Sequence, residues 1–194
     1  MGVIVAVTLA FGAAMATADA PAIDVEHSTL TVHVFKAGLF AAFAENHVIR
    51  APIAEGHVSE VGVLAVDLIV HTADMRVVDP TLPADKRAEV QARMHGPEVL
   101  DSSRYPEIRF ASTRVEPDGA DQWRVTGALT LHGVTRPLMF TVTRREDHFR
   151  GSASIRQSDF GIQPISVVGG TVKVKDQLRV EFDIVPRRGP APDR

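Results

Sequence analysis

The chain has 194 residues, 23% of them charged, and a formal net charge of −3. That length suits one domain able to bury most of its unfolded surface, and the near-balanced charge without a basic stripe argues against a nucleic-acid partner. There is no cysteine, which excludes a disulfide framework, a thiolate nucleophile and a thiolate metal site.

The chain opens on "MGVIVAVTLAFGAAMATADA", apolar from Val3 to about Ala16 and then small and polar. Ala16, Thr17 and Ala18 fit the small-x-small cleavage rule, so residues 1–18 are expected to be a signal peptide removed before Asp19. The apolar run is shorter than the roughly 20 residues of a membrane span, and no Lys or Arg precedes Lys36. A periplasmic or secreted protein is the expectation, and a cysteine-free chain tolerates an oxidising compartment.

Period-two alternation dominates the chain beyond this segment. Leu30, Val32 and Val34 alternate with Thr29, Thr31 and His33. The segment "KAGLFAAFAENHV", residues 36–48, is small, apolar and aromatic, and reads as a short helix or a wide bend. Leu64, Val66, Leu68 and Val70 alternate with Ala65, Asp67, Ile69 and His71. "PADKRAEVQARMHG", residues 83–96, is helical in composition, with Pro83 suited to the first turn and Gly96 to the stop. Its mixed charges read as a solvated face.

Three more strands are expected: Val125, Gly127, Leu129 and Leu131; Leu138, Phe140 and Val142; and Leu178, Val180, Phe182 and Ile184, each alternating with more polar neighbours. Each has one apolar and one wetter face, the antiparallel pattern. "HGVTRP" between Leu131 and Leu138 then reads as a hairpin connection, with Gly133 supplying backbone freedom and Pro137 starting the second strand. Tyr105 is held extended by Pro106 at the start of a strand, and Asp159, Phe160 and Gly161 read as a turn or bulge within reach of Arg156. "PRRGPAPDR", rich in Pro, Gly and charge, is expected to be a disordered tail. The predicted layout is a signal peptide at 1–18, one domain at 19–186 and a tail at 187–194. Its class is all-β, a barrel or a sandwich, with one inserted α-helix.

Histidine is the main reactive residue type, with eight: His27, His33, His47, His57, His71, His95, His132 and His148. No HExxH and no close His-x-His pair occurs. A metal or redox site could still assemble across strands from His33, His47 and His71 with Glu45 or Asp74. Asp24, His27 and Ser28 hold the residue types of a hydrolytic triad. Adjacent strand residues point to opposite faces, however, and no G-x-S-x-G elbow is present. The chain is therefore expected to be non-catalytic.

Several segments resemble the YceI-like family of periplasmic lipid- or polyisoprenoid-binding proteins. Gly127, Leu129, Thr130, Leu131, Gly133, Val134, Thr135, Arg136 and Pro137 match a "G-x-L-T-L-x-G-V-T-[RK]-P" hairpin. "IDVEHSTLTVHV" (residues 23–34), "LDSSRYPEIRFAST" (100–113), "IRQSDFGI" (155–162) and "VKVKDQLRVEFDIV" (172–185) resemble further motifs in the same order. Residues 35–58 depart from the family by carrying His47 and lacking a Gly-x-Phe ending; residues 72–87 depart as well.

The resemblance implies a lipocalin-like extended antiparallel β-barrel with a long apolar cavity. That cavity would hold an isoprenoid or other amphiphilic lipid as ligand, with no cofactor. It also implies transient membrane contact and a homodimer, and gives His27 with Ser28 a structural hydrogen-bonding role. Leu39, Phe40, Phe43, Val48 and Met75 lie in segments expected to border the cavity mouth, and Phe35, Phe110, Met139 and Phe140 are the next lining candidates. For each, ordinary core packing is the competing expectation.

Overall fold

The computed structural model describes residues 22–37, 47–59, 64–167 and 172–187. The strands are β1 (Thr29–Ala37), β2 (His47–Arg50), β3 (Ile53–Ser59), β4 (Ala65–His71), β5 (Arg76–Val77) and β6 (Glu107–Pro117). They continue with β7 (Gln122–Leu131), β8 (Val134–Arg145), β9 (His148–Arg156), β10 (Ser166–Val167) and β11 (Val172–Ile184). One helix, α1 (Ala84–His95), lies between β5 and β6, with Pro83 and Gly96 at its caps. The expected all-β class with one inserted helix is what the chain adopts.

The sheet runs β3-β4-β6-β7-β8-β9-β11-β1-β2-β5, and every pair is antiparallel. Its two ends are joined by the chain itself, because only Ala51 and Pro52 separate β2 from β3. This one bent strand pairs with β1 through Val32↔Ile49 and with β4 through Val58↔Val66. Ala51 N–H donates to the Leu30 carbonyl at 2.9 Å, so the bend stays bonded to β1. Counted once, the bent strand completes a wall of eight strands with β1, β4, β6, β7, β8, β9 and β11. That number leaves an interior filled by side chains or one small ligand. The predicted lipocalin-like barrel is thus present, and the bend closes it.

Alternation sends one apolar row from each strand inward: Leu30 and Val32 from β1, Leu68 and Val70 from β4, and Leu178 and Val180 from β11 among them. Ile23 N–H donates to the Gly56 carbonyl and Arg187 N–H to that of Ala22, so both chain ends of the described body are tied to the wall.

The connection from β4 to β6 lies wholly at one end of the barrel, called here the helix end. It carries β5, α1 and the turns that lead to Tyr105. Gln91 on α1 accepts from Val77 N–H at 2.7 Å and donates to the Met75 carbonyl at 2.8 Å. Its amide therefore takes the place of a neighbouring strand along the outer edge of β5. Met94 and Leu100 are buried there. The turn of residues 157–161 closes the same end, with Phe160 buried.

The "HGVTRP" stretch is a hairpin turn. His132 and Gly133 both have positive φ, at 51° and 73°, which is the two-residue geometry that matches strand twist. One detail differs from expectation: β8 begins at Val134, so Pro137 lies inside a strand opposite Ala128. The β8–β9 ladder reaches only to Thr141↔Ser152. Pro137 therefore lies beyond the paired length, where its missing N–H breaks no ladder bond.

The His132 ring lies 4.4 Å from that of Tyr105 and bonds to the Phe160 carbonyl at 3.3 Å. Arg136 Nε donates to the Asp159 carbonyl at 3.0 Å. Three of the segments that carry the sequence signature thus meet as one structural knot.

A β-carbon at Gly133 would stand 2.6 Å from Tyr105 Cε1 in a backbone region that favours glycine. Gly133→Val is expected to destabilise the protein by about 1–3 kcal/mol, read as a lower urea midpoint with unchanged m. A second expectation concerns Asp176, whose carboxylate accepts from Ser158 Oγ at 2.6 Å and Ser158 N–H at 2.8 Å. These bonds, the hydroxyl's first, hold its pKa below the ordinary 3.8. A carboxylate with a depressed folded-state pKa stabilises above its unfolded value, and that contribution is lost as pH falls through the folded one. Acidification below about pH 4 should release the Ser158 amide, seen as a proton chemical-shift change that Asp176→Asn abolishes.

Candidate binding cavity

A cavity of about 250 Å³ occupies the barrel interior, near the lower limit of roughly 300 Å³ typical of small-molecule sites. Every wall strand contributes. Val115 and Phe110 come from β6, Trp123, Val125 and Leu129 from β7, and Leu138, Phe140 and Val142 from β8. Phe149 and Ile155 come from β9, and Val180 and Phe182 from β11. Among the described lining residues only Ser59, Trp123 and Arg144 carry polar side-chain groups, the tryptophan's being its indole N–H.

The centre is aromatic. Phe140 lies 5.4 Å from Phe110 and 5.3 Å from Phe182, in tilted and edge-on contacts that stabilise such clusters. Gly127 faces inward beside them, and a β-carbon there would come within 2.4 Å of Phe110 Cζ. The glycine of the hairpin motif therefore makes room for a ring.

The strand register also fixes the two ends. Ser59, Leu64, Val115, Trp123 and Arg144 all lie at the end opposite α1, where β3, β6 and β8 finish and β4 and β7 begin. Arg144 follows Phe140 and Val142 in the inward phase of β8. Asp121 Oδ1 accepts from its Nη2 at 2.7 Å and its Nε at 3.2 Å, while its guanidinium carbon lies 5.7 Å from the Trp123 ring. Met75 lines the cavity toward the helix end.

The sequence candidates divide accordingly. Met75, Phe110 and Phe140 line the cavity. Val48 does not, because it lies opposite His33 on the outer phase of the β1–β2 pair. Phe35, in that same outer phase of β1, lies beneath Lys175 Nζ at 6.0 Å from its ring centre. Met139 is 62% exposed, one residue out of phase with Phe140. Leu39, Phe40 and Phe43 fall outside the described residues.

Trp123, Arg144, Phe149 and Phe182 are lining residues beyond the sequence candidates. The signal is available for the last, since Phe182 continues the alternation of Leu178 and Val180. Trp123 likewise continues the alternation of Val125, Gly127 and Leu129, and Phe149 that of Gly151, Ala153 and Ile155.

The three histidines of the metal alternative do not converge. His33 is in the outer phase of β1, where its Nε2 meets Glu181 at 3.2 Å. His71 is in the outer phase of β4, with Asp74 3.6 Å away. His47 lies opposite Val34 and so in the inward phase, and its Nδ1 bonds Asp79 at 2.7 Å. Asp79 also accepts from Val48 N–H at 2.5 Å and is only 2% exposed. Glu45 is outside the described residues, and among those described no three His, Asp or Glu side chains form a set that could hold a metal.

The triad residues separate as well. His27 Nδ1 bonds Asp24 at 2.9 Å, and this bond above all lowers the Asp24 pKa. Ser28 is buried with its hydroxyl accepting from Val185 N–H at 2.9 Å. Ser28 and the Asp24 N–H, which donates to the Val185 carbonyl at 2.8 Å, thus tie the start of the barrel to the end of its last strand, and His27 braces Asp24. Arg156 meets Asp159 at 3.1 Å, as the turn reading anticipates. Among the described residues no helix is long and apolar enough to cross a membrane.

Comparison with known proteins agrees with this architecture. A UPF0312 protein of Pseudomonas savastanoi pv. phaseolicola is 35% identical over 86 residues, covering 39% of this chain and 45% of that protein. A UPF0312 protein of Vibrio cholerae serotype O1 is 30% identical over 128 residues, covering 61% of this chain and 64% of that one. The chain thus aligns with less than two thirds of the length of either relative. The crystal structure of Burkholderia cenocepacia BcnA superposes with a TM-score of 0.59 at 17% identity, covering 85% of this chain and 99% of BcnA, a likeness of fold. The YceI-like domain matches residues 22–185, nearly the whole described body, and the chain belongs to the YceI-like domain family.

Proposed function

We propose that this protein is an exported, non-catalytic binding protein that holds one amphiphilic lipid, an isoprenoid or another long chain, inside its barrel. The observation that carries this reading is the continuity of the apolar lining around the whole wall, where among the described residues only Ser59, Arg144 and the indole N–H of Trp123 are polar. A dry lining favours hydrocarbon and disfavours any ligand whose polar groups would be buried unpaired.

Magnitudes favour a long chain over a short one. Each buried methylene contributes about 0.8 kcal/mol, so ten give about 8 kcal/mol. Association costs roughly 4–15 kcal/mol, and a short chain does not offset that. A cavity near 250 Å³ with flexible Met75 and three contacting phenylalanines at its centre can enlarge as side chains turn aside for the guest. Export rests on the apolar opening segment and its cleavage pattern. The protein would then meet its lipid in the cell envelope, touching the membrane transiently, as a monomer or a homodimer.

Protein purified from its own envelope is expected to show a native mass several hundred daltons above its denatured mass, with the excess extractable into organic solvent. The denatured mass should correspond to a chain beginning at Asp19. An excess equal to one metal ion, lost with chelator, would overturn the reading, and so would no excess at all. Ala153 lines the cavity and is buried. Ala153→Phe is expected to reduce the lipid-bearing fraction at least fivefold while overpacking costs about 1–3 kcal/mol of stability. A variant that carries lipid like the parent would place the ligand elsewhere.

A further inference from the structure

Polarity is concentrated at one end of the cavity. Ser59, Trp123 and Arg144, its lining residues with polar side-chain groups among those described, all stand at the end opposite α1. The other end is walled by Met75, Met94, Leu100, Phe160 and Ile162, all buried. The buried polar groups at that end, Thr72, Asp79 and Gln157, are committed to Tyr105, Val48 and Lys175 of the protein itself, and none lines the cavity. The His47 imidazole is likewise committed to Asp79 and does not line the cavity. A polar head pushed toward the helix end would lose its water without gaining partners.

Arg144 is placed differently. It is in the inward phase of β8, yet its side chain is 39% exposed, so its guanidinium spans the cavity and the solvent. Asp121 and the Trp123 ring fix its orientation. A guanidinium donates hydrogen bonds, accepts none and stays charged at every physiological pH. Asp121 offsets the net charge, so recognition here works through directed donors.

We infer that the cavity has a fixed polarity: it takes its amphiphile with an oxygen-acceptor head, a carboxylate, phosphate or carbonyl, at Arg144, and with the chain running toward Met75 and α1. This deepens the lipid-holding reading and rests on it. Arg144 selects the head and sets its depth, while the aromatic centre grips the chain whatever its head.

The protein carries its own reporter, because Trp123 is its single tryptophan and stands beside Arg144. The test uses delipidated full-length mature protein and fatty acids of one chain length, bearing a nitroxide either near the carboxylate or near the methyl end. The head-proximal label is expected to quench Trp123 at least threefold more than the tail label. Equal or reversed quenching would overturn the fixed polarity while leaving lipid binding intact. Quenching by neither label, with no adduct in the native mass spectrum, would overturn the lipid-holding reading itself.

Affinities supply the second arm. The parent should bind the carboxylate at least tenfold more tightly than a trimethylammonium amphiphile of equal length. In Arg144→Met that preference should fall below threefold, and Arg144→Lys should recover part of it. An unchanged preference in Arg144→Met would show that Arg144 does not read the head. If Arg144→Met does not fold, the quenching pattern of the parent decides.

Discussion

The whole molecule depends on one bend. Between Arg50 and Ile53 the chain leaves its ladder with β1 and enters its ladder with β4, and a curled sheet becomes a wall with an inside. An open sheet of this size would offer the same apolar residues to solvent on one face. Closure removes most of that exposed face and the free edge at β3 together. The remaining edge, at β5, is covered by the Gln91 amide. Ile23 and Arg187 fasten the chain ends to the same wall, so closure is reinforced near its first and last described residues.

Once the wall closes, strand alternation assigns each side chain to the cavity or to the outside, and a shift of one residue changes the answer. This separates Phe140 from Met139 and His47 from His33. It also parts the histidines of the metal alternative, two facing out and one in. The same rule that builds the lining therefore keeps these three histidines apart. The signature segments act as the closing knot of the helix end: the positive-φ turn at Gly133 packs on Tyr105, and the carbonyls of residues 159 and 160 receive Arg136 and His132. Their role is to hold the floor of the container.

Function follows from the contrast between the two ends. A uniformly apolar tube would bind any chain in either direction. Arg144, braced by Asp121 and Trp123 at the end opposite α1, would give the tube a direction at the cost of holding a charge beside hydrocarbon. That cost is small because the side chain is 39% exposed and its guanidinium carbon lies 5.7 Å from the Trp123 ring.

The sequence by itself determined the alternation of five strands, a helix between Pro83 and Gly96, the hairpin at His132 and Gly133, and the family. All of these rest on local spacing, turn chemistry or ordered motifs, while the short strands β2, β3, β5 and β10 and the strand β9 came only from the structure. Met75, Phe110 and Phe140 were legible as lining candidates because apolar bulk marks them. Only the tertiary structure decided that Val48, Phe35 and Met139 face away, since that depends on the register between strands distant in sequence. It alone placed Pro137 within a strand, where the neighbouring ladder has already stopped. And it alone brought Asp121, Trp123 and Arg144 together at one mouth, because strand pairing and not sequence proximity carries an arginine of β8 to a tryptophan of β7.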